Sequence, residues 1–261
     1  MMLRLNRLAV LVAVPLLSAL PASAAPFANR AACLARAEQL PDFAYEEARL
    51  WEKQGGGLDA RLCQGVALLL RADWRPAAET LESVIGQMDK EPAELRGNLW
   101  GRIGLAWQKA KEPARAEKAY DQALTLLPGD AQLRMDRAYL RAEQERWWEV
   151  IQDLDLVIKA RPKQAEPFIM RAEAHRKLAL SGEARADIDQ ALTLQPESAD
   201  ALLLRGNLRA DAGDYAGAKA DWTKVQQVAK TESSAARSAV DNLNALMLME
   251  AKGKSEAKET R

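Results

Sequence analysis

Residues 97–130 read GNLWGRIGLAWQKAKEPARAEKAYDQALTLLPGD, and this stretch decides the fold because the chain goes on to repeat its pattern. Its closing segment, ALTLLP at 123–128, returns two periods later as ALTLQP at 191–196. Proline marks the step at Pro128, Pro162 and Pro196. Four further columns keep the same step with mainly small or apolar side chains: Gly104, Ala138, Ala172 and Gly206; Ala116, Val150, Ala184 and Ala218; Tyr120, Leu154, Ile188 and Trp222; Ala123, Val157, Ala191 and Val225. A fixed period of this length indicates a repeat architecture.

Each period has the pattern of a helical hairpin. An amphipathic run with the spacing of an α-helix is followed by a short polar break, as at Gly182 or Gly213-Asp214, then by a second run and a proline. The small residue at Gly104 or Gly206 lets a facing helix approach closely, and Tyr120 or Trp222 supplies the large side chain beside it. The sequence therefore predicts pairs of packed helices.

On these residues the chain resembles the tetratricopeptide repeat (TPR) family, whose signature is W-x2-L-G-x2-Y, then A-x3-F, then P. Residues 97–130 match it at Trp100, Ile103, Gly104, Trp107, Ala116, Tyr120, Ala123 and Pro128. Later repeats depart from it at the first two aromatic columns, which hold Arg134 and Arg141, Phe168 and His175, Leu202 and Arg209. The resemblance implies an all-α, right-handed solenoid of helix-turn-helix repeats. It is specific for the fold and says little about function.

The repeat register divides the chain into segments. We expect a signal peptide at 1–24, N-terminal helices or a degenerate repeat at 25–57, a TPR-like repeat with an insertion near Pro92 at 58–96, TPRs at 97–130, 131–164, 165–198 and 199–230, a capping helix at 231–252 and a disordered tail at 253–261. A cap is expected because the last repeat would otherwise expose its apolar flank.

The N-terminal segment 1–24 has the pattern of a secretory leader. Arg4 and Arg7 precede an uncharged run from Leu8 to Leu20, and small residues end at Ala24, after which we predict cleavage. No second hydrophobic span follows. The leader carries two arginines and no acid, so the remaining chain has 37 minus 2, or 35, basic and 37 acidic side chains and a net charge of −2. The resemblance to exported bacterial TPR proteins implies a periplasmic product.

Export changes the interpretation of the two cysteines. In an oxidising compartment Cys33 and Cys63 form an even pair that favours a disulfide, although two buried free thiols are the alternative. On the loop-entropy model such a bridge would add on the order of 3 kcal/mol to the free energy of unfolding.

A charge pattern inside the repeats goes beyond the family signature. In three repeats an arginine directly precedes the small residue of the column that holds Ala138, Ala172 and Gly206, and an aspartate follows that arginine by 16 residues. The resulting pairs are Arg137 and Asp153, Arg171 and Asp187, and Arg205 and Asp221. The two earlier repeats lack both partners: they carry Ile103 with Ala119, and Gln64 with Thr80. This matched presence and absence predicts an ion pair between the two helices of a hairpin, whereas independent surface charges are the alternative.

In TPR geometry the first helix of each hairpin lines the concave side of the solenoid. The columns that packing leaves free there predict a groove of mixed chemistry, suited to an extended peptide, with these partner-binding residues: Asn98, Gln132, Met135, Tyr139, Glu173, Arg176 and Asn207. A groove without a dedicated ligand is the alternative. The Lys and Asn columns of carboxylate-clamp TPRs match at Asn207 alone, so we do not expect that clamp.

The composition argues against catalysis and against nucleic-acid binding. Balanced charge removes the basic patch that phosphate binding requires, and one His with two Cys leaves few metal ligands. His175 lies in a packing column and is interpreted as structural. We therefore expect no enzyme activity, cofactor, metal or nucleic acid.

The sequence favours a periplasmic scaffold or adaptor that binds a protein or peptide partner in the groove. A chaperone-like holder of exported or outer-membrane client proteins is the second interpretation.

Overall fold

The computed structural model describes residues 25–259, with side chains to residue 252, so the predicted signal peptide lies outside the described residues. Within this range the chain is helical and contains no strand. The helices are α1 Arg30–Gln39, α2 Pro41–Trp51, α3 Gly57–Leu70, α4 Trp74–Ile85, α5 Ala93–Lys109, α6 Pro113–Leu126, α7 Ala131–Glu143, α8 Trp147–Ala160, α9 Ala165–Lys177, α10 Ser181–Leu194, α11 Ala199–Asp211, α12 Tyr215–Val228 and α13 Ser234–Glu259. A short π-helical turn, Glu52–Gly56, joins α2 to α3.

From α3 to α12 consecutive helices pack in pairs and form five hairpins, each of which also packs on the next. This is the expected all-α solenoid. One predicted boundary differs, because α5 begins at Ala93 and not at residue 97. The residues assigned to an insertion before 97 are partly the first turn of this helix, which follows Pro92 as its N-cap residue.

The turn inside each hairpin repeats with the helices. Lys111, Glu145, Ala179 and Gly213 occupy the same position in four successive repeats, and all have positive φ, between 57° and 81°. Ala72 has the same left-handed conformation in the first hairpin, slightly more than one period before Lys111 because of the longer connection to α5. Among these five turn positions only Gly213 is a glycine, the residue that adopts this conformation without steric cost.

The prolines of the repeat mark the helix ends, and the small residues mark the close contacts between helices, as the sequence predicts. α6, α8 and α10 each end two residues before a proline of the repeat. A Cβ atom built on Gly104 would lie 2.8 Å from the ring of Tyr120, and one on Gly206 would lie 2.5 Å from Trp222 Nε1. The two helices of a hairpin therefore touch where the glycine lacks a side chain.

The N-terminal helices pack on the first hairpin. α1 and α2 both contact α3, and a disulfide joins Cys33 on α1 to Cys63 on α3 with 6.1 Å between their Cα atoms. Both cysteines are fully buried beside Trp51, whose ring meets Phe27 edge to face at 5.8 Å. The bridge predicted from parity is thus part of the structure. The turn after α2 bends at Gly55, with φ of 96°.

The last helix, α13, covers α11 and α12 as a cap. It buries Ala235, Ala239 and Leu246 against Trp222 and Val225. The helix starts at Ser234 and continues to Glu259, so the prediction of a disordered tail from Gly253 is wrong for residues 253–259. The Ala, Lys and Glu residues that dominate this stretch are strong helix formers, and they outweigh the single glycine.

Candidate functional site

The three predicted ion pairs are present, and each is bidentate. Arg137 donates from Nε and Nη2 to the two carboxylate oxygens of Asp153, at 2.9 and 2.6 Å. Arg171 binds Asp187 at 3.0 and 2.6 Å, and Arg205 binds Asp221 at 3.0 and 2.7 Å. The three aspartates are buried, so each pair links the two helices of a hairpin from inside the packing interface.

Two of these arginines also reach back to the preceding hairpin, a contact that the pairing pattern in the sequence did not predict. Arg137 Nη1 donates to Asp121 on α6 at 2.7 Å, and Arg171 Nη1 donates to Asp155 on α8 at 2.6 Å. Asp189 occupies the same column near Arg205 and helps to raise its pKa, after the larger effect of the hydrogen bond to Asp221. The regular spacing of Asp121, Asp155 and Asp189, one per repeat, is the signal that could have revealed this column.

The buried aspartates have further partners in the basic residues that stand where the TPR signature has its second aromatic residue. Arg141 Nη1 donates to Asp153 at 2.9 Å, and Arg209 Nη1 donates to Asp221 at 2.7 Å. His175 Nδ1 lies 3.1 Å from Asp187. In these three repeats a basic residue therefore replaces the second aromatic residue of the TPR signature and contacts the buried aspartate of the same hairpin. His175 has the structural environment that its position in a packing column predicts.

The first helices lie next to one another, with α5 beside α7 and α9 beside α11, and their exposed side chains form what we call the groove face. Tyr139 is 41% exposed there and donates to Glu166 at 2.6 Å. Partial burial, and then this hydrogen bond, raise the pKa of Tyr139 above its ordinary value. The phenol therefore remains protonated and presents an aromatic ring fixed by a charged acceptor.

Three other predicted groove residues, Gln132, Glu173 and Arg176, reach the surface to different degrees: Gln132 is exposed, whereas the side chains of Glu173 and Arg176 are 34% and 25% exposed. Arg176 makes a bidentate ion pair with Glu173 at 2.9 Å and reaches Asp211 at 3.3 Å, and the bond to Glu173 raises the pKa of Arg176. Gln132 is exposed and donates to Asp136 at 3.0 Å. Burial raises the pKa of Asp136.

Two of the predicted groove residues have structural contacts instead. Met135 is only 4% exposed and packs in the core formed with Val150 and Leu154, so its side chain is not available to a partner. Asn207 Oδ1 accepts from Trp222 Nε1 at 3.1 Å and from Asn242 Nδ2 at 2.8 Å. Because α13 takes the place of a further first helix, it covers the column that Asn207 was expected to leave free.

Asn98 is the remaining predicted residue, and it lies at the N-terminal end of the groove face. It lines a cavity of about 340 Å³ between α1, α3 and α5, which the repeat pattern did not predict. The other lining residues are Leu34, Glu38, Leu62, Val66, Leu70, Leu95, Leu99 and Arg102. No periodic signal pointed to this cavity, since α1 lies outside the repeats and Leu95 lies in the predicted insertion.

Neither a metal site nor a membrane span is found in the described part of the chain. Between residues 25 and 252, no three His, Cys, Asp or Glu side chains are grouped so that they could hold a metal ion. None of the helices between residues 25 and 259 combines the length and apolar character needed to cross a membrane.

Comparison with solved structures identifies the fold class. MamA from Desulfovibrio magneticus RS-1 superposes with a TM-score of 0.60 at 17% identity over 68% of this chain and 97% of that one. YrrB, a TPR protein, gives 0.56 at 18% identity over 65% and 88% of the two chains. A tetratricopeptide repeat protein from Parabacteroides merdae ATCC 43184 gives 0.53 at 15% identity over 84% of each. No family model and no curated protein sequence matches the chain.

The fold is therefore that of a TPR solenoid. At these identities the likeness concerns architecture, and function has to be argued from the groove face itself.

Proposed function

We propose that this protein is a non-enzymatic scaffold of the bacterial periplasm that binds a peptide or protein partner on its groove face. The observation that carries the proposal is the exposure of the Tyr139 ring, which is 41% exposed, lies outside the buried clusters and has the partly exposed Arg176 on the neighbouring first helix. Aromatic and arginine side chains are the commonest energetic anchors of protein interfaces. One structural neighbour, YrrB, is described as a TPR protein with an unusual peptide-binding site.

Export is part of the proposal. The disulfide between Cys33 and Cys63 suits an oxidising compartment, and the leader pattern of residues 1–24 supports secretion. Mass spectrometry of the protein isolated from the cell envelope should find a mature N-terminus at Ala25. A protein that retains Arg4 and Arg7 would contradict this assignment.

Binding is favoured over catalysis by the contacts that His175 and the buried aspartates make. His175 contacts Asp187, and the buried aspartates are saturated by arginine contacts, so neither is poised as a base or nucleophile toward an open cavity. The arrangement is suited to holding helices together.

The test is crosslinking in the native envelope followed by affinity purification. We expect one stoichiometric partner, whose recovery falls when Tyr139 is replaced by Ala. A chaperone-like holder is the second candidate, because the groove face mixes apolar and polar groups. A holder would instead recover many unrelated proteins and suppress the aggregation of an unfolded client in vitro.

A further inference from the structure

The cavity at the N-terminal end of the groove face has an apolar interior. Leu62, Val66 and Leu99 are buried at its floor, whereas Leu70 and Leu95 are 49% and 37% exposed at its edge. Its volume of about 340 Å³ lies at the lower end of the range for ligand pockets, which is about 300–1,000 Å³. The space therefore suits a single apolar side chain with part of its main chain.

The walls of this cavity are fixed before anything binds. Leu34 follows Cys33 and Leu62 precedes Cys63, so the disulfide joins the two helices directly beside the cavity. Arg30 holds the start of α1 through Asp59 at 2.6 Å and Glu91 at 2.7 Å. A preformed wall lowers the ordering cost of binding.

The edge of the cavity carries polar groups without partners. The side chains of Glu38 on α1, and of Asn98 and Arg102 on α5, are exposed and make no hydrogen bond or ion pair with any described residue. The nearby arginines differ, because Arg30 and Arg71 are both ion-paired. An acid on one wall and a base on the other, above an apolar floor, define a charge pattern that an occupant can complement.

We propose that this cavity binds an extended peptide segment in which a Leu-like side chain lies between an acidic and a basic residue. The apolar side chain fills the floor, the acidic residue pairs with Arg102, and the basic residue pairs with Glu38. Asn98 carries an amide that can bond a main-chain peptide group of the segment. The proposal rests on the function proposed above and adds a sequence preference and a place on the groove face.

The experiment uses the oxidised, signal-free protein and an array of synthetic peptides with the core X-Leu-Z in a Gly/Ser carrier. X and Z each run over Asp, Lys and Ser, and a second array replaces Leu by Ala. We expect the oppositely charged cores to bind most tightly, in one of the two orders, and the Ala array to lose about tenfold in affinity or more. The order that binds gives the direction of the peptide.

Two substitutions at the cavity, each with a matched control substitution on another helix, test whether the peptide binds there. R102E should shift the preference at the acidic position from Asp to Lys, while R185E on α10 leaves the preference unchanged. L70E should weaken all peptides about tenfold, while L156E on α8 has no effect. A change of preference is informative because loss of folding cannot produce it.

The outcomes separate this proposal from the broader function. No dependence on Leu, or an unchanged charge preference in R102E, overturns the cavity proposal. If peptides nevertheless bind and the binding is lost in Y139A, the groove face remains the partner site and only the cavity assignment fails. If no peptide binds and no envelope partner depends on Tyr139, both proposals fail.

Discussion

At the scale of single residues, the buried aspartates are the side chains whose burial requires compensating contacts most. A buried carboxylate without partners would be costly, and Asp187 avoids this cost with Arg171 on one side and His175 on the other. Removing one member of such a buried pair destabilises a protein strongly, although the intact pair need not be more stable than an apolar replacement. We therefore expect the network to fix the alignment of the two helices more than it adds to the free energy of unfolding.

The first prediction is energetic coupling between Arg171 and Asp187. Alanine replacements, alone and together, should give an interaction energy on the order of 1 kcal/mol in urea unfolding, because both variants remove the same bidentate contact. The cycle of Arg171 with Asp155 is the matched control. Asp155 is 54% exposed, so its coupling should be smaller. Strict additivity of Arg171 and Asp187 would show that the contact contributes nothing as a pair.

The second prediction concerns the left-handed residues of the turns. Ala179 has φ of 59°, a conformation that costs an L-residue about 1–2 kcal/mol, whereas Gly213 occupies the equivalent position without that cost. Ala179→Gly should therefore leave the free energy of unfolding unchanged or raise it by up to about 1 kcal/mol, and Gly213→Ala should lower it by about 1 kcal/mol. Gly182→Ala serves as the control in thermal unfolding, since Gly182 has no positive φ and open space around it. Destabilisation by Ala179→Gly would contradict this account.

At the scale of helices, the disulfide joins an element without a repeat pattern to the solenoid. α1 has ten residues and buries only Cys33 and Ala37, so little apolar area holds it in place. The bridge to Cys63 supplies the constraint that its packing lacks.

The third prediction follows from the dependence of α1 on the disulfide. Cys33→Ser with Cys63→Ser should lower the free energy of unfolding by about 2–4 kcal/mol, with the loss concentrated at the N-terminal end. Hydrogen exchange should report faster exchange in α1 and unchanged protection in α9 to α12, because each repeat contacts mainly its neighbours. Uniform loss of protection along the chain would indicate a single cooperative unit, contrary to this view.

The helices also show which features a sequence can predict. The hairpins and the bonds between Arg137 and Asp153 could be predicted because both partners belong to one repeat and recur with its period. The burial of Met135 and the contact of Asn207 with Asn242 depend on how a neighbouring helix lies, which a column position does not specify. The cavity near Asn98 was missed for the same reason, since one wall comes from a helix without repeat register.

At the scale of the whole molecule, two surfaces compete as the partner site. One is the groove face around Tyr139, and the other is the exposed apolar side of α13, where Leu248 is 73% and Met247 is 53% exposed. α13 uses Leu243, Leu246 and the small residues near its start for capping, whereas Met247, Leu248 and Met249 lie outside this buried cluster. Large exposed apolar side chains are typical of interaction surfaces, so the two sites have to be compared directly.

The fourth prediction is that Tyr139→Ala weakens partner binding by about 1–3 kcal/mol, because it removes an aromatic anchor held in place by Glu166. Circular dichroism should show unchanged helicity, since Tyr139 is half exposed and lies outside the buried clusters. Leu248→Glu is the matched variant on α13 and should leave binding intact, as measured by titration of the purified partner. If Leu248→Glu abolishes binding while Tyr139→Ala binds normally, the partner docks on the C-terminal helix and the groove face is not its site.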